Sequence, residues 1–260
     1  ITYHPHPRLV VEPNNRELRM LSSIEEKAEA VFALGIDYVL VLPFTQEFSQ
    51  LSPEAFVADI LVKQLNVHTI VIGYDHHFGI NRSGDFNTLV RLSKQFNFAV
   101  QEIPASTIDE IAVSSTRIRK ALSNRGLEEA NQLIGRPYQL TGTVIHGKQL
   151  GRTIGFPTAN IHLNDPYKLI PSFGVYAGIC LVENKRFKMV CNIGVRPTVD
   201  GENISIEAHL FDFVKNIYGE HLTLFLVQYL RNEQKFDSIE ALKSQILLDA
   251  QQAQILVTLD

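Results

Sequence analysis

Between residues 22 and 100 this sequence alternates stretches of helical and strand spacing, and beyond residue 137 strand-like stretches follow one another with almost no helix between them. One sheet architecture cannot serve both patterns, so the change of pattern constrains the fold first. "SSIEEKAEAVFALG" opens on serines, carries acids in its first turn, repeats apolar residues at helical spacing and closes on glycine, and the apolar "YVLVLPF" follows it. "SPEAFVADILVKQL" repeats that helical pattern ahead of "TIVIG", as "SGDFNTLVRLSKQF" does ahead of "FAVQEI". Such alternation with nearly continuous apolar strands predicts a parallel sheet covered on both faces. After "STRIRKALSNRGLEEANQLIGRPY" come "QLTGTVIHG", "FGVYAGICLV", "RFKMVCNIG", "ISIEAHLFDF" and "HLTLFLVQYL", separated by glycine, proline and asparagine turns. These predict an antiparallel barrel or sandwich, closed by the amphipathic helix "SIEALKSQILLDAQQAQ". Two domains are expected, 1–136 and 137–260, meeting near Pro137.

Composition narrows the function classes. A chain of 260 residues buries roughly 70–75% of its unfolded surface. With 45% apolar residues, 20% charged residues and a formal charge of −4, it lacks the basic excess of a nonspecific nucleic-acid binder, and no nucleic-acid partner is expected. No apolar run approaches the roughly 18 residues of a membrane span, and "ITYHPHPRLV" has neither region of a signal peptide, so the expectation is a cytoplasmic protein. A start at Ile1, with a strand-like "ITY" running into "HPHP", reads as entry partway through a domain, with sequence expected upstream. Cys180 and Cys191 lack metal or redox spacing and are expected as reduced, packed thiols.

Five stretches carry polar residues in patterns that suggest chemistry. "GYDHHFGINRSG" follows the strand "TIVIG", where α/β sheets hold ligands; Asp75 can accept from vicinal ribose hydroxyls, and Gly73, Gly79 and Gly84 allow close backbone approach. Adjacent side chains such as Asp75, His76 and His77 rarely point at one ion, so no metal is expected there. "VSSTRIRKAL" sets Ser114, Ser115 and Thr116 at a helix start followed by Arg117 and Arg119; a plain cap accounts for one serine, and the set suits a phosphate. "HPHP" places His6 between Pro5 and Pro7, a rigid turn with no chemistry of its own. In "HGKQLGRTIGFPTAN", Gly147 and Gly151 flank a basic turn able to fold over a polyphosphate. Thr158 and Asn160 follow, two residues apart and on one face if extended, as oxygen ligands suited to magnesium or, alternatively, as members of a hydroxyl or Asx turn. "ISIEAHLFDF" sets Glu207 among apolar neighbours, a candidate general base or a salt-bridged strand glutamate.

Taken in order, "HPHP", "LSPEAFV", "GYDHHFG", "SSTRIR", "GTVIHG", "GRTIGFPTAN", "GVYAG", "NIGVRPT" and "IEAHL" make the chain resemble, along nearly its whole length, the bacterial bifunctional riboflavin kinase and flavin adenine dinucleotide (FAD) synthetase family. The resemblance implies an α/β plus β chain: a Rossmann-like nucleotidyltransferase domain, then a Greek-key β-barrel riboflavin kinase domain with a C-terminal helix. It implies transfer of adenylate from ATP to flavin mononucleotide (FMN) in the first and phosphorylation of the riboflavin ribityl hydroxyl in the second, with magnesium accompanying ATP and small molecules as the partners. By position, Thr158 and Asn160 correspond to the residues holding magnesium and ATP phosphates, under the turn from Gly147 to Gly151, and Glu207 to the base. Asp75 falls at the ATP ribose contact, Ser115, Thr116 and Arg119 at phosphate contacts, and Pro5, His6 and Pro7 in a loop lining the flavin and nucleotide site.

The family's first strand is followed by G-F-D-G-V-H-x-G-H, and nothing of the kind stands in this sequence. The resemblance therefore implies an incomplete adenylylation site in the polypeptide as given, with a kinase-only enzyme or a noncatalytic flavin- or nucleotide-binding module as the alternative. "NIGVRPT" also places Arg196 where the family often has a smaller or polar residue.

Overall fold

A computed structural model describes residues 1–14, 18–104, 107–108, 111–147, 150–198 and 201–259. The chain divides into two compact units, Ile1–Leu18 with Ala28–Val113, and Arg19–Lys27 with Ser114–Asp260. The first contains β1 (Thr2–His4), α1 (Pro7–Val11), the later part of α2 (Ile24–Ala33), β2 (Val41–Pro43), α3 (Gln46–Ser49), α4 (Pro53–Ala55), β3 (Thr69–Gly73), α5 (Phe86–Phe96), β4 (Ala99–Ile103), β5 (Thr107–Ile108) and β6 (Ile111–Ala112).

The pairing of β1 with β2 and of β3 with β4 is parallel, as the alternating pattern predicts. Among the described residues these are two separate ladders rather than one sheet, because no backbone hydrogen bonds join one pair to the other. The helix expected from "SPEAFVADILVKQL" starts regularly, with the Ala55 amide donating to the Ser52 hydroxyl at 3.1 Å. It then widens into a π-helix over Phe56–Val62, where the Lys63 and Leu65 amides bond the carbonyls of Ala58 and Ile60, five residues back. Phe56, Val57 and Leu61 of that wider turn are buried against Ile72, Phe78, Leu89, Leu92 and Phe98. Asp85 starts α5 by accepting from the Thr88 amide and hydroxyl, both at 2.8 Å, and left-handed Asn97 ends it.

The second unit carries α6 (Ser115–Ser123) and α7 (Leu127–Ile134), then β7 (Tyr138–Ile145), α8 (Leu150–Thr153), β8 (Ala159–Leu163), β9 (Gly174–Val182), β10 (Lys185–Thr198), β11 (Gly201–Leu210), β12 (His221–Arg231) and α9 (Ile239–Leu256). The six strands close an antiparallel barrel in the order β10-β11-β8-β7-β12-β9. Five match the strand candidates of the sequence; β8 was concealed inside the stretch whose polar residues suggest a phosphate turn. Leu140, Met189, Ile193, Leu222, Leu224 and Leu226 are buried in this unit. Ala253 and Val257 bury against Ala177 and Phe211, and Arg231 forks onto the Asp249 carboxylate at 2.6–3.1 Å, fixing α9 to the strands. Cys180 and Cys191 are free, buried thiols; burial pushes Cys180 up to about 12 and Cys191 higher still.

Residues 19–27 are bound to this unit by their own network. The Met20 amide donates to the Tyr167 carbonyl at 2.7 Å and the Leu169 amide to the Met20 carbonyl at 2.8 Å. Ser23 and Glu26 cap α2 reciprocally, each main-chain amide donating to the other's side chain at 3.1–3.2 Å. The same Glu26 accepts from the Thr141 amide at 3.0 Å and pairs with Lys168 at 2.5 Å, both side chains being almost wholly enclosed. Lys168 also donates to the Leu21 carbonyl at 2.7 Å and lies 4.3 Å from the Tyr138 ring centroid. Burial pulls its ammonium from 10.5 down to about 8, against the opposing pull of Glu26.

Candidate active sites

In the barrel, the antiparallel register of β8 against β11 sets Asn160 directly opposite Glu207, and Glu207 faces Asn192 of β10 on its other side. Thr158 stands one residue before β8, and its hydroxyl donates to the Glu207 carboxylate at 3.3 Å. A hydroxyl, an amide and a carboxylate separated by up to 49 residues thus meet across one strand pair. Asn160 is buried, while Thr158 and Glu207 are half-buried and reachable from solvent.

The two glycines ahead of Thr158 are fitted to this cluster. A Cβ at Gly147 would collide with the Asn160 amide, and one at Gly151 would collide with the Phe156 carbonyl and stand 3.5 Å from the Thr158 hydroxyl. The turn from Gly151 is closed by the Phe156 amide donating to the Gly151 carbonyl at 2.8 Å. Gly147, Gly151, Thr158, Asn160 and Glu207, singled out in the sequence separately, are therefore brought together. Lys148 and Gln149 of the basic turn, and the Arg196 side chain, lie outside the described residues.

Three further contacts lie beside the cluster. Asn192 donates to Glu233 at 3.1 Å, and a Cβ at Gly194 would collide with that Glu233 carboxylate. The rings of His146 and Tyr218 stack at 3.9 Å and 26°, next in sequence to Gly147. His209, two residues after Glu207, reaches the Pro157 carbonyl at 2.8 Å. "IEAHL" gave the signal for the last, since residues two apart on a strand share a face. A cavity of about 270 Å³ beside the Glu26–Lys168 pair has no residue in common with the cluster.

In the first unit, Asp75 lies exposed two residues beyond the carboxyl end of β3. The loop is pinned there by the Tyr74 amide donating to the Ile103 carbonyl and the His76 amide to that of Gly73, each at 3.0 Å. Desolvation lowers the His76 imidazole, with Asp75 opposing the shift. His6 caps α1, its Nδ1 accepting from the Arg8 amide at 3.2 Å, with Pro7 as the first helical residue. In the second unit, Ser114 is the cap of α6, leaving Ser115 and Thr116 exposed in its first turn. Arg119 donates to the Arg19 carbonyl at 2.7 Å, while Arg117 pairs with Glu129 at 2.8 Å.

Comparison with known proteins bears on both units. Residues 134–257 match the riboflavin kinase family model, and residues 1–117 match that of FAD synthetase. The bifunctional riboflavin kinase/FMN adenylyltransferase of Listeria monocytogenes is 41% identical over 252 residues, covering 96% of this chain and 79% of the relative. This chain belongs to that bifunctional family. Its Escherichia coli K12 member is 38% identical over 248 residues, covering 95% of this chain and 78% of its own length. The solved structure of a Streptococcus pneumoniae protein described as a macrolide-efflux protein has a TM-score of 0.85 at 30% identity, covering 97% of this chain and 81% of that one. Efflux is a description of that protein; the likeness lies in the fold. Among the described residues, no helix is long and apolar enough to cross a membrane. Matches to both family models favour the bifunctional reading over a kinase-only or noncatalytic module.

Proposed function

We propose that the chain phosphorylates riboflavin to FMN and adenylylates FMN to FAD, with the kinase reaction in residues 137–260 and the synthetase reaction in 1–136. The observation that carries the kinase assignment is the Thr158 hydroxyl bonded to Glu207, with Asn160 directly across the strand pair. Glu207 takes the proton from the ribityl hydroxyl as its oxygen attacks the γ-phosphorus of ATP; the bond to the β-phosphate breaks and ADP leaves. That chemistry asks little of the protein beyond positioning, a base and charge neutralisation.

The side-chain oxygens of Thr158 and Asn160 are hard donors, which suits magnesium. Among the described residues no group of three or more His, Cys, Asp or Glu side chains is arranged to hold a metal, so magnesium here would take phosphate oxygens and water as its remaining ligands. Bound with ATP, the metal would neutralise charge on the phosphates. Thr158 and Asn160 would orient them, with Gly147 and Gly151 flanking the basic turn beside them. Asp75 at the end of β3 is assigned to the ATP ribose, Ser115, Thr116 and Arg119 to phosphate, and the Pro5-His6-Pro7 turn to flavin. Asp75 is supported by its place beyond the carboxyl end of a parallel strand, and Ser115 and Thr116 by their place in the first turn of a helix.

Incubating the purified chain with riboflavin, ATP and magnesium and separating the flavins chromatographically tests the kinase half: FMN is the expected product, and its absence would refute the assignment. The synthetase half is tested side by side with FMN, ATP and magnesium in this 260-residue chain and in a chain extended upstream to carry G-F-D-G-V-H-x-G-H. FAD is expected from the extended chain, and FMN left unconverted by it would refute the synthetase assignment.

A further inference from the structure

We infer that His209 is a positioning residue for the kinase site, holding Thr158 in reach of Glu207 through the carbonyl of Pro157. The inference rests on the kinase reading above. β8 begins at Ala159, paired with Ala208, so Thr158 and Pro157 lie just past the end of the ladder, where no strand pairing fixes them. Pro157 has no amide hydrogen to contribute. His209 supplies what the ladder omits: its Nδ1 lies 2.8 Å from the Pro157 carbonyl. A carbonyl oxygen only accepts, so Nδ1 carries the hydrogen. The imidazole is itself held by edge-on contacts with Phe156 at 5.3 Å and Phe211 at 5.5 Å between ring centroids.

Glu207 and His209 point to the same face of β11, two residues apart. One strand therefore grips the Phe156–Thr158 segment twice, directly through the Glu207–Thr158 hydrogen bond and indirectly through His209 and Pro157. Losing the second grip frees the Thr158 hydroxyl without altering the base. The consequence should fall on MgATP, which Thr158 is assigned to orient, and not on riboflavin.

The test compares His209→Phe, which keeps the ring contacts and removes the donor, with His209→Asn, whose side-chain amide can donate from nearly the same place. Loss of one hydrogen bond predicts a rise of about 10-fold in KM for MgATP in the Phe variant, with riboflavin affinity within about twofold of wild type. The Asn variant should recover most of the difference. Exchange of the Phe156 amide, whose hydrogen is bonded to the Gly151 carbonyl, measured without substrates, should quicken in His209→Phe and return in His209→Asn. Unchanged exchange and KM in His209→Phe, or an Asn variant as impaired as the Phe variant, would overturn the inference. Wild-type chain that forms no FMN yet shows the exchange pattern would instead refute the kinase reading and leave the anchor standing.

Discussion

Replacing Lys168 by Met tests whether residues 19–27 are an integral part of the barrel unit. The side chain of Lys168 is 2% exposed and that of Glu26 1%, so solvent cannot take over for a missing partner. Lys168→Met keeps an unbranched chain of similar length over the Tyr138 ring but leaves the Glu26 carboxylate with only the Thr141 and Ser23 amides. Removing one member of a buried pair costs about 3–5 kcal/mol. Glu26→Gln should cost a similar amount, because the atom replacing Oε2 would be an amide or an uncharged oxygen facing the Lys168 ammonium. The double variant buries neither charge and should be more stable than the summed losses by about 2–3 kcal/mol. Urea unfolding followed by circular dichroism supplies the free energies, and exchange of the Thr141 amide, whose acceptor is Glu26, localises the loss. Losses that add within about 0.5 kcal/mol, or a Lys168→Met chain as stable as wild type, would refute the coupling.

The same lysine predicts a pH dependence. Its folded value near 8 lies below the ordinary 10.5, so between those limits the unfolded chain holds a proton that the folded chain has released. Stability conferred by this group therefore rises with pH across that window, by up to about 1.4 kcal/mol per pH unit, and is lost as pH falls through 8; Lys168→Met should lack that contribution in unfolding measured from pH 7 to 10.5. Asn160→Ala should weaken MgATP binding at least about 10-fold in calorimetry while sparing riboflavin alone, and equal losses for both would contradict the assignment. Asp249→Ala strips the Arg231 fork of its carboxylate and should cost about 2–3 kcal/mol, with faster amide exchange along α9.

The barrel was largely legible because its strands announce themselves through turn residues and apolar runs that need no knowledge of distant partners. β8 escaped because "ANIHL" is short and begins within a polar motif, and only its pairing with β7 and β11 makes it a strand. The π-helical stretch at Phe56–Val62 has the same apolar spacing over a few residues as an α-helix, so the pattern cannot separate the two; its buried residues are Phe56, Val57 and Leu61. Thr158 and Asn160 could be read as a pair because they are neighbours in sequence. Their meeting with Glu207 depends on strand register, and the family resemblance pointed to all three before the geometry did. Glu26 could be read as the far end of a capping box but not as the partner of Lys168, 142 residues away. His209 shares a strand face with Glu207 in "IEAHL", but its acceptor, a main-chain carbonyl 52 residues upstream, could not be read from the sequence.

Turnover of Glu207→Gln, set beside its substrate binding, tests the central claim most directly. Gln retains the volume and an acceptor for the Thr158 hydroxyl but cannot take up the ribityl proton at neutral pH. Riboflavin and MgATP affinities should stay within about threefold of wild type while FMN formation falls by about 10²–10⁴-fold, the usual contribution of a general base. FMN formation at the wild-type rate, with both substrates bound normally, would contradict the account.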